Sequence, residues 1–214
     1  MSKSNKENVL SFLKNQTDKF QDTIALGMRN KYGWSEFTYQ GLALMSRKIA
    51  SYLINELNVK KEEKIAIISE SKVEFGAVFF GSIIAGTTLI PLDIKLTEHE
   101  IASIMSNCEP TIVFVSKKYF ETAIDIQKQI PSIRNIILID DVDYPPYQNI
   151  YKLPDNAEAN FRHRSLNSTA LIIYTSGTTG NPKGVQTTFG NLLSQIRDLK
   201  IGMDKIFKNN EKET

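Results

Sequence analysis

Strands alternating with amphipathic helices predict an α/β fold: a mostly parallel β-sheet with helices on both faces. Three observations carry the prediction. Short β-branched runs recur at Lys64–Ser69, Thr87–Leu92, Thr111–Val115 and Asn135–Asp140. Helical periods of ten or more residues fill the intervals between them. At 214 residues, 41% hydrophobic and 23% charged, the chain is large enough to bury about 70% of its unfolded surface without disulfide staples.

In chain order, Val9, Phe12, Leu13 and Phe20 stand at near-helical spacing and predict an opening helix. Ile24–Met28 and Trp34–Thr38 flank the polar turn 30–33 and read as a hairpin. From Leu42, apolar residues at Met45, Ile49, Leu53 and Leu57 mark an amphipathic helix. Lys64–Ser69 is the first buried strand. Ser71 with Glu74 three residues on reads as a capping box opening the apolar helix Val73–Ile84. That helix is expected to end at Gly86, before the strand Thr87–Leu92. Thr97 and Glu100 form a second capping box, after which Ile101, Ile104, Met105 and Cys108 share one face. Cys108 is therefore expected to pack in the core, not to act as a nucleophile. Thr111–Val115, Tyr119–Ile130 and Asn135–Asp140 continue the alternation as strand, helix and strand.

The rhythm then breaks. Asp141–Ser165 has no period, three prolines and mixed charge, and reads as a surface connector. Thr169–Tyr174 is the next strand. Asn191–Phe207 carries Leu192, Ile196, Leu199, Met203 and Ile206 on one helical face. The expected organisation is an α/β subdomain over 1–140, a surface connector over 141–168, and a strand, loop and helix over 169–214.

Composition excludes several classes. Lys and Arg number 26 against 24 Asp and Glu, which leaves no footprint for nucleic acid or anionic lipid. The single cysteine rules out an internal disulfide and fits a reducing, cytoplasmic compartment. The first residues have no apolar run of the signal-peptide kind. Phe75–Leu92 is an uncharged stretch of 18 residues, the length of a membrane span, but three glycines and Pro91 break it into a buried helix and a buried strand.

The chemistry lies in Thr175-Ser-Gly-Thr-Thr-Gly-Asn-Pro-Lys-Gly-Val185, where eleven residues hold four hydroxyls, three glycines and one lysine. Polyphosphate binding needs this set. Glycines let backbone N–H groups turn inward and approach oxygen closely. Hydroxyls rotate to donate to non-bridging oxygens. A lysine supplies a mobile positive charge, worth about 4 kcal/mol at 4 Å with an effective dielectric near 20. The spacing is not that of a Walker A loop, since Lys183 precedes Gly184 and no Ser or Thr follows it directly; nor is it G-x-G-x-x-G. Taken by composition alone, the same residues also suit a Gly/Thr-rich hairpin turn with a solvated lysine.

Leu171–Val185 (LIIYTSGTTGNPKGV) resembles the phosphate-loop signature of the adenylate-forming superfamily, which includes acyl-CoA and aryl-CoA synthetases, peptide-synthetase adenylation domains and luciferases. Upstream, the helix within Phe37–Ile54 resembles the family's early "TY-x-x-L" helix. Glu63–Asp93, ending A-G-x-x-x-x-P-L-D, resembles its strand–helix–strand stretch, and Glu100–Ser116 the helix and strand after it. The wording is most like that of fatty acyl-CoA synthetases.

The resemblance implies two half-reactions. A carboxylate attacks the α-phosphate of Mg·ATP to give acyl-adenylate and pyrophosphate, and a thiol of CoA or an acyl carrier protein then displaces AMP. By position it implies ATP-binding roles for Thr175, Ser176, Gly177, Thr178, Thr179, Gly180, Lys183 and Gly184. Lys183 would neutralise charge on the departing pyrophosphate, an electrostatic task. Where relatives often carry a histidine after the loop, this chain reads Thr188-Phe189-Gly190-Asn191-Leu192. His99 and His163 are expected to be solvated. The family's adenine, magnesium and ribose residues, and its C-terminal catalytic lysine, follow later than this sequence runs. The expectation is thus the N-terminal portion of such a ligase, inactive alone and prone to self-association through helix Val73–Ile84 and strands Lys64–Ser69 and Thr111–Val115. The alternatives are a truncated, non-catalytic binding or regulatory module, and a phosphate-binding protein of another family.

Overall fold

A computed structural model describes residues 9–31, 33–155, 162–175 and 182–210, the last eleven of these by backbone alone. Helix α1 (Val9–Phe20) opens the chain, followed by the antiparallel hairpin β1 (Ile24–Asn30) and β2 (Gly33–Thr38). Thr38 caps helix α2 (Tyr39–Ser51), its hydroxyl accepting from Gly41 N, and a π-helical turn extends α2 to Glu56.

The βα units follow as expected: β3 (Lys64–Ile68), α3 (Glu74–Ala85), β4 (Thr88–Leu92), α4 (Glu98–Cys108), β5 (Ile112–Val115), α5 (Phe120–Gln129) and β6 (Asn135–Leu138). Later come β7 (Gln148–Asn149), β8 (Thr169–Thr175), β9 (Lys183–Thr188) and α6 (Phe189–Asn210). The main sheet has seven strands in the order β7-β6-β5-β3-β4-β8-β9, parallel throughout except for the β8–β9 pair.

The chain starts in the middle of this sheet and winds outward both ways. From β3 it steps to β4 through α3, then crosses back over β3 to β5 through α4, and continues to β6 through α5. Right-handed crossovers in opposite directions place helices on opposite faces. Accordingly Ile65, Ile67, Leu89, Ile112 and Phe114 pack with Ile49, Leu53, Val78 and Ile84 of α2 and α3. Ala66, Ile68, Ile90, Val113 and Val115 pack with Ile101, Met105, Ala123 and Ile126 of α4 and α5. Strands β3 and β5 are therefore buried on both faces. The apolar surface expected to drive self-association is not there: α2 lies across α3, and β3 and β5 are central strands. Exposed apolar side chains lie elsewhere, among them Trp34, Leu44 and the pair Ile173 and Val185, 45% and 56% exposed, which face each other across β8 and β9.

Close approach on the α2–α3 side depends on Gly81, where a Cβ would stand 2.8 Å from Ile49 Cγ2 and 3.1 Å from the Ser46 carbonyl oxygen. Gly86 ends α3 in the left-handed region, at φ 72°, and returns the chain into β4. The apolar stretch Phe75–Leu92 is thus helix plus strand, and among the described residues no helix is long and apolar enough to cross a membrane.

Four expectations are corrected. Ser71 does not cap α3; Val73 holds the cap position without a side-chain bond, and the Glu74 carboxylate accepts from Tyr151 OH at 2.6 Å. The connector is not confined to the surface: Gln148–Asn149 extends the sheet beside β6, and Asn149, Ile150 and Leu153 are buried. Asn149 holds that turn, its Oδ1 accepting from the Tyr151 and Lys152 amides while its Nδ2 donates to Val142 O. Lys183–Val185 belongs to strand β9, not to an open loop running into α6. On α6, among the side chains described, Phe189 and Leu193 are buried, whereas Leu199, assigned to the apolar face, is 68% exposed; Met203 and Ile206 lie outside the described side chains.

Candidate functional site

Strand β8 runs parallel to β4, with Leu89 opposite Leu171 and the Thr88 hydroxyl donating to Thr169 O at 3.1 Å. Its carboxyl end therefore lies on the same edge of the sheet as those of β3, β4, β5 and β6. In open α/β sheets this edge is where ligands bind, at the points where the winding reverses.

Thr175 closes β8 and Lys183 opens β9, and the two are cross-strand partners. Directly opposed residues of an antiparallel pair lie about 5 Å apart at Cα. Thr175 and Lys183 thus stand side by side at the edge where the parallel strands end. Thr175 and Lys183 are both exposed. Ser176, Gly177, Thr178, Thr179 and Gly180 lie outside the described residues. The hairpin reading of the sequence holds for the strands that flank the loop.

Gly184 sits opposite Tyr174, and the fit between them is tight. A Cβ at Gly184 would lie 2.7 Å from Ile172 Cγ2 and 3.1 Å from Tyr174 Cζ. The Tyr174 ring lies where a Gly184 side chain would point, although the glycine itself is exposed, and the Tyr174 hydroxyl donates to Asn107 Oδ1 at 2.7 Å, at the end of α4. Burial and the neighbouring Cys108 raise the Tyr174 hydroxyl above its ordinary pKa. The base of the loop is thus tied to α4. No sequence motif announced this tie, because Asn107 and Tyr174 are 67 positions apart.

Beyond the loop, Thr188 and Asn191 form a reciprocal cap on α6. Asn191 N donates to Thr188 Oγ1 at 3.1 Å, and Thr188 N donates to Asn191 Oδ1 at 3.0 Å. The short polar pair of this sequence therefore fixes the start of the helix. Phe189 N donates to Ser168 O, bonding the end of the hairpin to its beginning.

The same edge carries a polar cluster that sequence reasoning did not single out. Ser116, after β5, donates to Glu70 Oε2 at 2.5 Å. Lys72 pairs with Asp140 at 2.7 Å, and Asp140 also accepts from the Lys117 amide at 2.6 Å. Burial would lower the Lys72 ammonium, but Asp140 outweighs it and the net shift is upward. Cys108 is buried, and burial pushes its thiol up to about 11, the opposite of an activated nucleophile. His99 and His163 are exposed.

On this edge Lys183 is an exposed cation, whereas Lys72 is already paired with Asp140. Magnesium asks for oxygen ligands in near-octahedral array. Among the described residues no group of three or more His, Cys, Asp or Glu stands where it could hold a metal ion.

The chain is 28% identical over 193 residues to the human long-chain-fatty-acid–CoA ligase ACSBG1, covering 82% of this chain and 26% of that protein. To 4-hydroxybutyrate–CoA ligase 2 of Metallosphaera sedula it is 27% identical over 219 residues, covering 92% of this chain and 38% of that one. It thus spans about a quarter to two fifths of the length of these curated relatives. In fold it resembles the anthranilate CoA ligase AuaEII solved with anthranoyl-AMP, at a TM-score of 0.75 and 19% identity, over 86% of this chain and 35% of that one. The family model of the AMP-binding enzymes matches residues 13–214, and the doubly covered parallel sheet agrees with it: this chain belongs to the AMP-binding enzyme family.

Proposed function

We propose that this chain is the phosphate-gripping portion of an ATP-dependent ligase that activates a carboxylic acid, with a fatty acid as the favoured class. The observation that carries the reading is the loop held between paired Thr175 and Lys183 on the ligand-bearing sheet edge of an AMP-binding enzyme. ATP is the first substrate. The acid's carboxylate oxygen forms a bond to the α-phosphorus, the bond from that phosphorus to the bridging oxygen breaks, and pyrophosphate leaves with the electron pair. CoA or a carrier-protein thiol then attacks the acyl carbon and AMP departs. In this reading Thr175, Ser176, Thr178 and Thr179 donate hydroxyl bonds to the β- and γ-phosphates. Gly177, Gly180 and Gly184 let the backbone approach them. Lys183 offsets the charge that grows as pyrophosphate separates.

The same reading divides the chain into the βα units over 1–140, a connecting segment over 141–168, and the loop-bearing part over 169–214. A cytoplasmic setting suits a free thiol and an ATP-consuming reaction.

The test compares the two half-reactions in the complete enzyme. Lys183→Ala should lower acid-dependent ATP–pyrophosphate exchange about tenfold to a thousandfold, while thiol transfer from preformed acyl-adenylate changes less. Equal loss in both steps would refute the assignment of Lys183 to pyrophosphate. The 214-residue chain alone should show background exchange.

A further inference from the structure

On the far side of α2 and α3 from the main sheet, a cavity of about 270 Å³ opens between α1, the β1–β2 hairpin, α2 and α3. None of its described lining residues lies in β8 or β9. The hairpin runs beside α2, and from it Leu26 reaches over Gly76 of α3, where a Cβ would stand 2.3 Å from Leu26 Cδ1. Its walls are mostly apolar, built by Leu13 of α1, Leu26 of β1, Leu42 of α2 and Phe80 of α3.

Among the described residues two cations share that lining, Lys14 of α1 and Arg47 of α2, and no carboxylate does. Among the described residues neither cation is in an ion pair. Lys14 is exposed and Arg47 half-buried. An apolar chamber with two unneutralised positive charges suits a ligand with a hydrocarbon body and an anionic head. We propose that this cavity binds a small amphiphilic carboxylate, its tail against Leu26, Leu42 and Phe80 and its head between Lys14 and Arg47. Size sets the tail length. A cavity of about 150 Å³ takes benzene, so 270 Å³ scales to roughly eleven non-hydrogen atoms, a chain near ten carbons. Such a site shares no described residue with β8 or β9 and is independent of the catalytic reading given above.

Calorimetric titration of this chain with decanoate and with decanol tests the proposal. Decanoate should bind saturably, and Lys14→Gln with Arg47→Gln should weaken it at least tenfold while changing decanol less than twofold. Ala43→Phe, which places a ring in the cavity, should weaken both ligands at least tenfold. Circular dichroism confirms that each variant is folded. The proposal is overturned if decanoate shows no saturable binding up to millimolar concentration. It is equally overturned if the charge variants leave decanoate unchanged, or if Lys183→Ala weakens decanoate while Ala43→Phe does not. The last result would move the site to the phosphate loop.

Discussion

Gly184→Ala tests whether the base of the phosphate loop is as tightly built as its geometry indicates. The added Cβ would meet Ile172 Cγ2 at 2.7 Å and Tyr174 Cζ at 3.1 Å. Neither neighbour yields easily, since Ile172 packs on the α4–α5 core and Tyr174 is held by Asn107. Inserting a methyl group into such a contact costs about 1–3 kcal/mol. Replacing a strand glycine returns roughly 0.5–1 kcal/mol through the unfolded chain. The net expectation is destabilisation by about 0.5–2 kcal/mol, or a fall in Tm of roughly 1–8 °C for a chain of this size. Strand β9 must also move away from β8 by a few tenths of an ångström, and Lys183 moves with it. Pyrophosphate affinity, measured by calorimetry, should therefore drop as well. In a double-mutant cycle Ile172→Ala, which removes the closest atom, should recover part of the Gly184→Ala loss, so that the two changes are non-additive. Unchanged Tm together with strict additivity would refute the account of Gly184 as a closely packed position.

The Cys108 thiol, buried and pushed up to about 11, should resist iodoacetamide at pH 8 in the folded chain and react fully in denaturant. Its folded pKa lies above its unfolded value, so the folded state loses stability as pH climbs from about 9 toward 11; thermal melts across that window would register it. Self-association should occur at micromolar concentration through the open face of β8 and β9, and Val185→Lys should suppress it in light scattering; an unaltered mass distribution would exclude that face.

The βα units were legible because each carries its own evidence. Ile101, Ile104, Met105 and Cys108 repeat at helical spacing, and all four are buried. The two capping-box signatures show where such evidence stops. Thr97 and Glu100 form the box as written, with Glu100 Oε2 accepting from Thr97 N at 2.8 Å. Ser71 and Glu74 carry the same spacing, but Tyr151, 77 residues later, takes the Glu74 carboxylate. A local pattern cannot report a distant competitor. Strand β9 was hidden for a related reason: Lys-Gly-Val-Gln-Thr-Thr has no apolar alternation, and pairing with β8 alone makes it a strand. Two-residue β7 has no period to detect. At the site, the glycines, hydroxyls and lysine were readable as residue types at a spacing. The tie from Tyr174 to Asn107 and the ring over Gly184 were not, because they exist only between elements.

The corner where α3 turns into β4 at Gly86 has a consequence for the segment that leads into the loop. Arg164 Nη1 donates to Gly86 O at 2.6 Å, Arg162 N donates to Ile84 O at 3.1 Å, and the Arg162 guanidinium reaches Val59 O. At the other end Thr169 is fastened to Thr88. Only four residues, Ser165 to Ser168, separate these two fixed points. Surface connections ordinarily accept extra residues at little thermodynamic cost. Here the four are themselves bonded: Ser168 N donates to Ser165 O, Phe189 N to Ser168 O and Gly190 N to Leu166 O. A slip of β8 by one position along β4 would exchange its two faces. Ile172 and Tyr174 would turn outward, Ile173 would turn in, and Thr175 would no longer stand opposite Lys183. A short tether fastened at both ends and along its length opposes that slip.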